Sequence, residues 1–149
     1  MTSKLDKFAK ELEQQLWLSY SEIVMDHAQN PRNVGRLPKA DGFASVTGSC
    51  GDTMEIWLKV KDGIIKHATF WTDGCGTTIV AGSMITELAK EKSIPQALRI
   101  TRQEVLDSLG GLPEASVHCA LLAANTLKGA INDYLSFRHE PWKRAYGRL

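Results

Sequence analysis

The sequence lacks the features that mark several large classes of protein. It has no apolar run of about 18 residues, so no transmembrane helix is expected. Its 18 Lys and Arg residues against 17 Asp and Glu residues give a net charge of +1, which provides no overall attraction to nucleic acid or to an acidic membrane. Charged residues interrupt roughly the first 20 positions, so no secretory signal is expected and the chain is predicted to be cytoplasmic.

Cysteine is also scarce, and the chain has only Cys50, Cys75 and Cys119. An odd number of widely spaced cysteines in a reducing compartment argues against a disulfide framework. The missing Cys-x-x-Cys spacing argues against a thiol-disulfide redox protein. Metal ligation and thiol chemistry remain as candidate roles for the cysteines, although a single cysteine is more often a buried packing residue than a metal ligand.

The composition of the 149 residues, 43% hydrophobic and 23% charged, suits a single domain spanning residues 1–149 with one core. Apolar residues recur at steps of three and four from Leu5, which predicts an amphipathic helix to about Gln29. Residues 43–47, 53–60 and 64–71 predict strands, the last two joined by a hairpin turn at Asp62-Gly63. Helical patterns after Cys75, at residues 102–109 and at residues 117–137 complete an α+β domain, a small antiparallel sheet covered by helices.

The hairpin turn predicts where the cysteines meet. In regular register it places Cys50 opposite Cys75 at the open end of the hairpin, with Asp52 beside them. A bulge in either strand would break this alignment. Gly51 can take a positive φ, which lets Cys50 and Asp52 turn toward a common centre.

Cys75 and the His118-Cys119 pair are both predicted at the first turn of a helix. Unpaired N–H groups and the positive end of the helix dipole favour thiolate there, the form that binds metal or attacks sulfur. Structural alternatives remain open, since Asp52 can cap a turn and His118 can be a helix cap or a surface imidazole. Asp73 is predicted to cap a helix.

Five segments in order carry a family resemblance: residues 20–27 (YSEIVMDH), 30–35 (NPRNVG), 50–52 (CGD), 74–76 (GCG) and 118–120 (HCA). With these the chain resembles the IscU/NifU-type iron-sulfur cluster assembly scaffolds from about residue 20 to residue 134. The resemblance implies an α+β fold of three antiparallel strands with helices packed on one face. It also implies a non-enzymatic role: a transient [2Fe-2S] cluster is built from iron and from sulfur delivered by a cysteine desulfurase, and is passed to apo iron-sulfur acceptor proteins.

By the same resemblance, Cys50, Cys75 and Cys119 are cluster cysteines, and Cys119 is the acceptor of persulfide sulfur. Asp52 is the carboxylate that labilises or ligates the metal and so assists release, and His118 is the histidine beside the third cysteine. Tyr20 matches a tyrosine used in dimer contacts, so a homodimer is one expected assembly.

Departures from the family pattern bear on partners and metal. Residues 112–116 read LPEAS where chaperone-recruiting members have Leu-Pro-Pro-Val-Lys, which argues against a dedicated Hsp70-type partner. The segment between Cys75 and Cys119 lacks the insertion of the zinc-dependent SufU branch. Zinc accepts three cysteines with Asp52 or His118, however, so a zinc-bound persulfide acceptor is the alternative function, and zinc can occupy a purified scaffold.

The two ends of the chain are expected to be additions to this domain. Residues 1–19 are predicted to form an N-terminal helical extension, and residues 138–149 a basic tail. The tail is predicted to be solvated, with docking to an acidic desulfurase surface as its alternative role.

Overall fold

The computed structural model describes residues 20–139 as a three-stranded sheet with helices packed on one face. Its elements in chain order are α1 (Glu22–Gln29), β1 (Gly42–Thr47), β2 (Thr53–Lys61), β3 (Ile64–Thr72), α2 (Gly76–Ala89), α3 (Ile94–Leu98), α4 (Arg102–Ser108), a 3-10 turn (Glu114–Ser116) and α5 (Val117–His139). The α+β class and the antiparallel three-stranded sheet are confirmed. The expected extension at residues 1–19 and residues 140–149 of the tail lie outside the described residues.

The alternation of β2 directs the packing of the whole domain. Met54, Ile56 and Leu58 point to one face and are fully buried there, while the residues between them face the other side. On the buried face, α5 packs across β1 and β2, and α2 packs on β3. Because α2 follows β3 directly, this packing brings the first turns of α2 and α5 to the same end of the sheet.

The first described helix is shorter than the pattern predicts. A helix running continuously from Leu5 to Gln29 is wrong, because α1 begins only at Glu22. Ser21 has extended backbone (φ −67°, ψ 162°), and its Oγ accepts a hydrogen bond from the Val24 N–H at 3.1 Å, which caps the helix. Tyr20 therefore precedes the helix and packs against the core instead of joining the helical stripe.

A short helix, α3, was not predicted, although the sequence carries its signal. Ser93 caps α3 and forms a reciprocal capping box with Gln96, and Pro95 stands in the first turn. Five residues are too few to show a helical period, so only the cap chemistry marks the element.

Within residues 20–139, no helix is long and apolar enough to cross a membrane.

The hairpin of β2 and β3 contains one irregularity that shifts its register. Asp62 and Gly63 both have positive φ, 55° and 74°, as the predicted two-residue turn requires. Val60 then pairs with Ile65, but Lys59 pairs with His67, so Lys66 is an extra residue in β3. The predicted alignment of Cys50 with Cys75 is therefore wrong by one residue.

The close packing of α2 on β3 generates a prediction about stability. A Cβ atom at Gly82 would lie 2.4 Å from Cδ2 of Phe70, a ring that is 1% exposed. We expect Gly82→Ala to lower the free energy of unfolding by about 1–3 kcal/mol through overpacking, despite alanine's higher helix propensity. Urea denaturation measures the loss.

Gly129→Ala on α5 is the matched comparison. Its Cβ would lie 3.0 Å from the methyl group of Ala44 and 4.0 Å from Cγ2 of Val46, so a smaller loss is expected. Equal stability of Gly82→Ala and the parent protein would contradict the proposed packing of α2 on Phe70.

Candidate functional site

Cys50 lies in the tight turn that joins β1 to β2. The Gly51 N–H donates to the Gly48 carbonyl oxygen at 3.0 Å, and the Gly48 N–H donates to the Asp52 carbonyl oxygen at 2.8 Å. Gly51 has a φ of +89°, the left-handed conformation that the sequence allows at this position. The turn leaves Cys50 exposed and lets the chain reverse before β2 begins.

Cys75 is the N-cap residue of α2, and its side chain is exposed. Its Sγ lies 3.4 Å from Oγ1 of Thr77. The hydrogen bond from the Thr77 hydroxyl lowers the pKa of the Cys75 thiol most strongly, and hydrogen bonds from the Thr78 and Thr77 N–H groups also lower it, against the opposing effect of burial. The thiolate expected at this helix N-terminus is thus favoured.

Cys119 behaves differently, although it also lies in the first turn of a helix. It is 1% exposed, with Sγ 3.4 Å from Oγ1 of Thr78 and 3.6 Å from Nε2 of His118. Burial raises the pKa of the Cys119 thiol, and negative charge at Cys75 and Cys50 raises it further. The thiolate expected at Cys119 is therefore not favoured, because the effect of desolvation on the pKa outweighs the hydrogen bonds from the Thr78 and Thr77 hydroxyls, which lower it.

Asp52 meets the start of α2 because of the shifted hairpin register. Continued past Met54 and Thr72, the pairing places Asp52 opposite Gly74. Oδ2 of Asp52 accepts a hydrogen bond from the Thr78 hydroxyl at 2.9 Å. A Cβ at Gly74 would lie 2.6 Å from Oδ2 of Asp52, so only glycine leaves room for this approach.

Two threonine hydroxyls connect these groups. Oγ1 of Thr77 lies 3.4 Å from the sulfur of Cys75 and 3.5 Å from that of Cys119. Oγ1 of Thr78 contacts Asp52 and Cys119 and lies 4.0 Å from the sulfur of Cys75. The sequence patterns single out neither threonine. The available signal was their place in the first turn of the helix that Cys75 caps.

The side chains are close to one another but are not arranged as a finished coordination sphere. Among residues 20–139, no three His, Cys, Asp or Glu side chains are placed to hold a metal ion as they stand. Cys75, Cys119 and Asp52 instead share the two threonine hydroxyls, and no side-chain hydrogen bond joins Cys50 to this group among the described residues. Three sulfurs, a carboxylate and the His118 imidazole are donor types that suit iron-sulfide or zinc chemically.

Asp73 and His27 have structural partners. Oδ1 of Asp73 accepts the Thr53 N–H at 2.8 Å and so extends the end of β2; the predicted helix cap is wrong, since Cys75 holds that position. His27 is buried, with Nδ1 2.7 Å from Oγ of Ser83.

The chain matches known proteins over most of its length. The family model of the NifU-like N terminal domain matches residues 19–140. The iron-sulfur cluster assembly scaffold protein IscU 1 of Archaeoglobus fulgidus is 52% identical over 116 residues, 77% of this chain and 76% of that protein. IscU of Haemophilus influenzae is 46% identical over 123 residues, 78% of this chain and 96% of that protein.

Solved structures agree on the fold. The crystal structure of a nitrogen-fixing NifU-like protein (N-terminal) from Brucella abortus superposes with a TM-score of 0.60 at 18% identity, over 78% of this chain and 94% of that one. These matches confirm the resemblance that the five sequence segments carry. The chain belongs to the family of NifU-like N-terminal domains, together with the IscU iron-sulfur cluster assembly scaffolds.

Proposed function

We propose that this chain assembles a [2Fe-2S] cluster from iron and desulfurase-derived sulfur and transfers it to apo-acceptor proteins. The observation that carries the proposal is the shared contact of Cys75, Cys119 and Asp52 with Thr77 and Thr78. Sulfur and carboxylate donors from three separate stretches of chain approach one another there. The scaffold role named for relatives at 52% and 46% identity supports the same conclusion.

The incomplete thiolate set supports a cluster that is cargo and not a permanent centre. A durable [2Fe-2S] carrier normally supplies four cysteine ligands, and this chain has three. The fourth bond then comes from Asp52 or His118, from a second subunit or from a small thiol. An oxygen or nitrogen donor binds the iron-sulfide core less well than sulfur, so an acceptor's thiolate can displace it.

Sulfur delivery is a thiol-exchange step at Cys119 in this proposal. The Cys119 thiolate attacks the terminal sulfur of the desulfurase persulfide, the desulfurase S–S bond breaks, and its cysteine leaves as a thiolate. Conversion of each delivered sulfur to sulfide then takes two electrons from an external thiol or electron carrier. Because Cys119 is buried and its pKa is raised, the step also requires a docked desulfurase to uncover it.

The setting of this activity follows the sequence expectations and is also proposed. The chain acts as one domain over residues 1–149, in the cytoplasm, as a scaffold and not an enzyme. Its partners are a cysteine desulfurase and apo-acceptors, with a homodimer as one assembly and without a dedicated Hsp70-type chaperone. Nucleic acid and membrane have no part in it.

Anaerobic reconstitution with ferrous iron and sulfide tests the cluster itself. We expect a visible-absorbing [2Fe-2S] chromophore, and Cys75→Ser should weaken it because one of three sulfur ligands is lost. Iron, sulfide and zinc are measured per chain. Zinc retained at one ion per chain with no chromophore would overturn the scaffold proposal and leave the zinc-bound persulfide acceptor.

Asp52→Ala is expected to slow cluster transfer to an apo-ferredoxin on the order of tenfold or more, about 1.4 kcal/mol in barrier for each tenfold. The change removes a weak oxygen donor, or the route by which the acceptor's thiolate attacks. Transfer is followed by the spectrum of the loaded acceptor. Asp73→Ala is the matched control, because Oδ1 of Asp73 accepts the Thr53 N–H and no side-chain hydrogen bond joins it to a thiol among the described residues. A rate equal to the parent's for Asp52→Ala would remove this role.

Cys119→Ser is expected to abolish uptake of labelled sulfur from a desulfurase, because serine cannot form a persulfide. Mass spectrometry of the non-reduced chain measures the label. Cys50→Ser should retain it. The lowered pKa and exposure of Cys75 make it the competing acceptor, so label kept in Cys119→Ser and lost in Cys75→Ser would reassign the step.

A further inference from the structure

We propose that Thr78 is a positioning residue whose hydroxyl holds the Asp52 carboxylate beside Cys119 and thereby sets the rate of cluster release. The inference rests on the proposed scaffold function and adds a residue to it. Thr78 is completely buried, and Oγ1 lies 2.9 Å from Oδ2 of Asp52 and 3.4 Å from Sγ of Cys119. One hydroxyl therefore joins the carboxylate to the least exposed thiol.

The donor and acceptor inventory fixes what the Thr78 hydroxyl does. A threonine hydroxyl has one proton to donate and two lone pairs that accept. The proton goes to Asp52, since an ionised carboxylate can only accept. The lone pairs remain for the Cys119 S–H, which gives a chain of bonds from the thiol through the hydroxyl to the carboxylate.

Gly74 provides an independent observation of the same arrangement. A Cβ atom at residue 74 would lie 2.6 Å from Oδ2 of Asp52 and 2.7 Å from Cβ of Thr78. The backbone of residue 74 therefore packs directly against the contact between the Asp52 and Thr78 side chains. Asp52 is held from two sides, by a hydrogen bond from α2 and by close packing on the chain that leads into α2.

Thr77 has a different role in this geometry. Its hydroxyl lies between the sulfurs of Cys75 and Cys119, at 3.4 and 3.5 Å, and no hydrogen bond joins it to Asp52. Changes at Thr77 are therefore expected to alter the thiols directly. Changes at Thr78 are expected to act on release mainly through Asp52, and this difference makes the two threonines separable.

The test replaces the hydroxyl and measures whether its effect needs Asp52. Thr78→Val should slow cluster transfer roughly threefold to tenfold, the range for the loss of one hydrogen bond. In an Asp52→Ala background the same change should have a much smaller effect, because only the contact of the hydroxyl with Cys119 remains. Thr78→Ser, which keeps the hydroxyl, should restore the parent rate, and Thr78→Ala is the second hydroxyl-free variant should valine disturb the fold.

Two controls separate positioning from packing. Thr126→Val makes the same change at a buried threonine whose hydroxyl bonds only to the Leu122 carbonyl oxygen of its own helix, and it should leave transfer unchanged. Thr77→Val should have the same effect with or without Asp52. Urea denaturation of each variant identifies any loss of stability.

A Co²⁺ titration of the cluster-free protein gives a readout that does not require iron or sulfide. The thiolate-to-cobalt absorption band reports binding, and Thr78→Val and Asp52→Ala should again be non-additive. Additive effects of the two changes, in transfer and in Co²⁺ affinity, would overturn the positioning role while the scaffold function stands. If the two changes are non-additive in Co²⁺ binding but reconstitution yields no cluster, the link between Thr78 and Asp52 stands. The scaffold function would then be overturned, and with it the role of that link in cluster release.

Discussion

The hydrogen bond between Thr78 and Asp52 depends on one extra residue in β3. Lys66 shifts the pairing of the hairpin, so that Asp52 meets Gly74 and the first turn of α2. Without the bulge, every residue of β3 beyond it would face the opposite side of the sheet. The register therefore decides which side chain reaches Thr78, and the chemistry of the site depends on it.

The same arrangement produces three thiols with different properties. Cys50 is exposed in a turn, Cys75 is exposed at a helix N-terminus with a lowered pKa, and Cys119 is buried with a raised pKa. A permanent metal centre would be served better by side chains already placed for ligation. Thiols that are held by threonine hydroxyls can instead be recruited to a cargo and returned, which is consistent with the proposed assembly and release of a cluster.

Much of the fold was predictable from local sequence patterns. The period-2 alternation of β2, the Asp62-Gly63 turn and the helical pattern after Val117 are strong signals, and each element is present. The bulge was not predictable, because the residue type of Lys66 does not distinguish it from a regularly paired residue of β3.

The residues of the candidate site likewise include some that the sequence predicts and some that it does not. Family motifs select the cysteines and Asp52, but the burial that raises the pKa of Cys119 arises from tertiary packing. Thr77 and Thr78 were not predicted, because threonines that contact a binding site follow no characteristic spacing in the sequence. Their role appears only when three stretches of chain meet.

Native mass spectrometry of protein purified without oxygen is the decisive measurement, because it determines the mass of the cargo on the intact chain. We expect a species heavier than the bare chain by two iron and two sulfide ions per bound cluster, and we expect this species to disappear when an apo-acceptor is added. A chain that carries a single zinc ion, with no iron-sulfide species before or after desulfurase treatment, would contradict it.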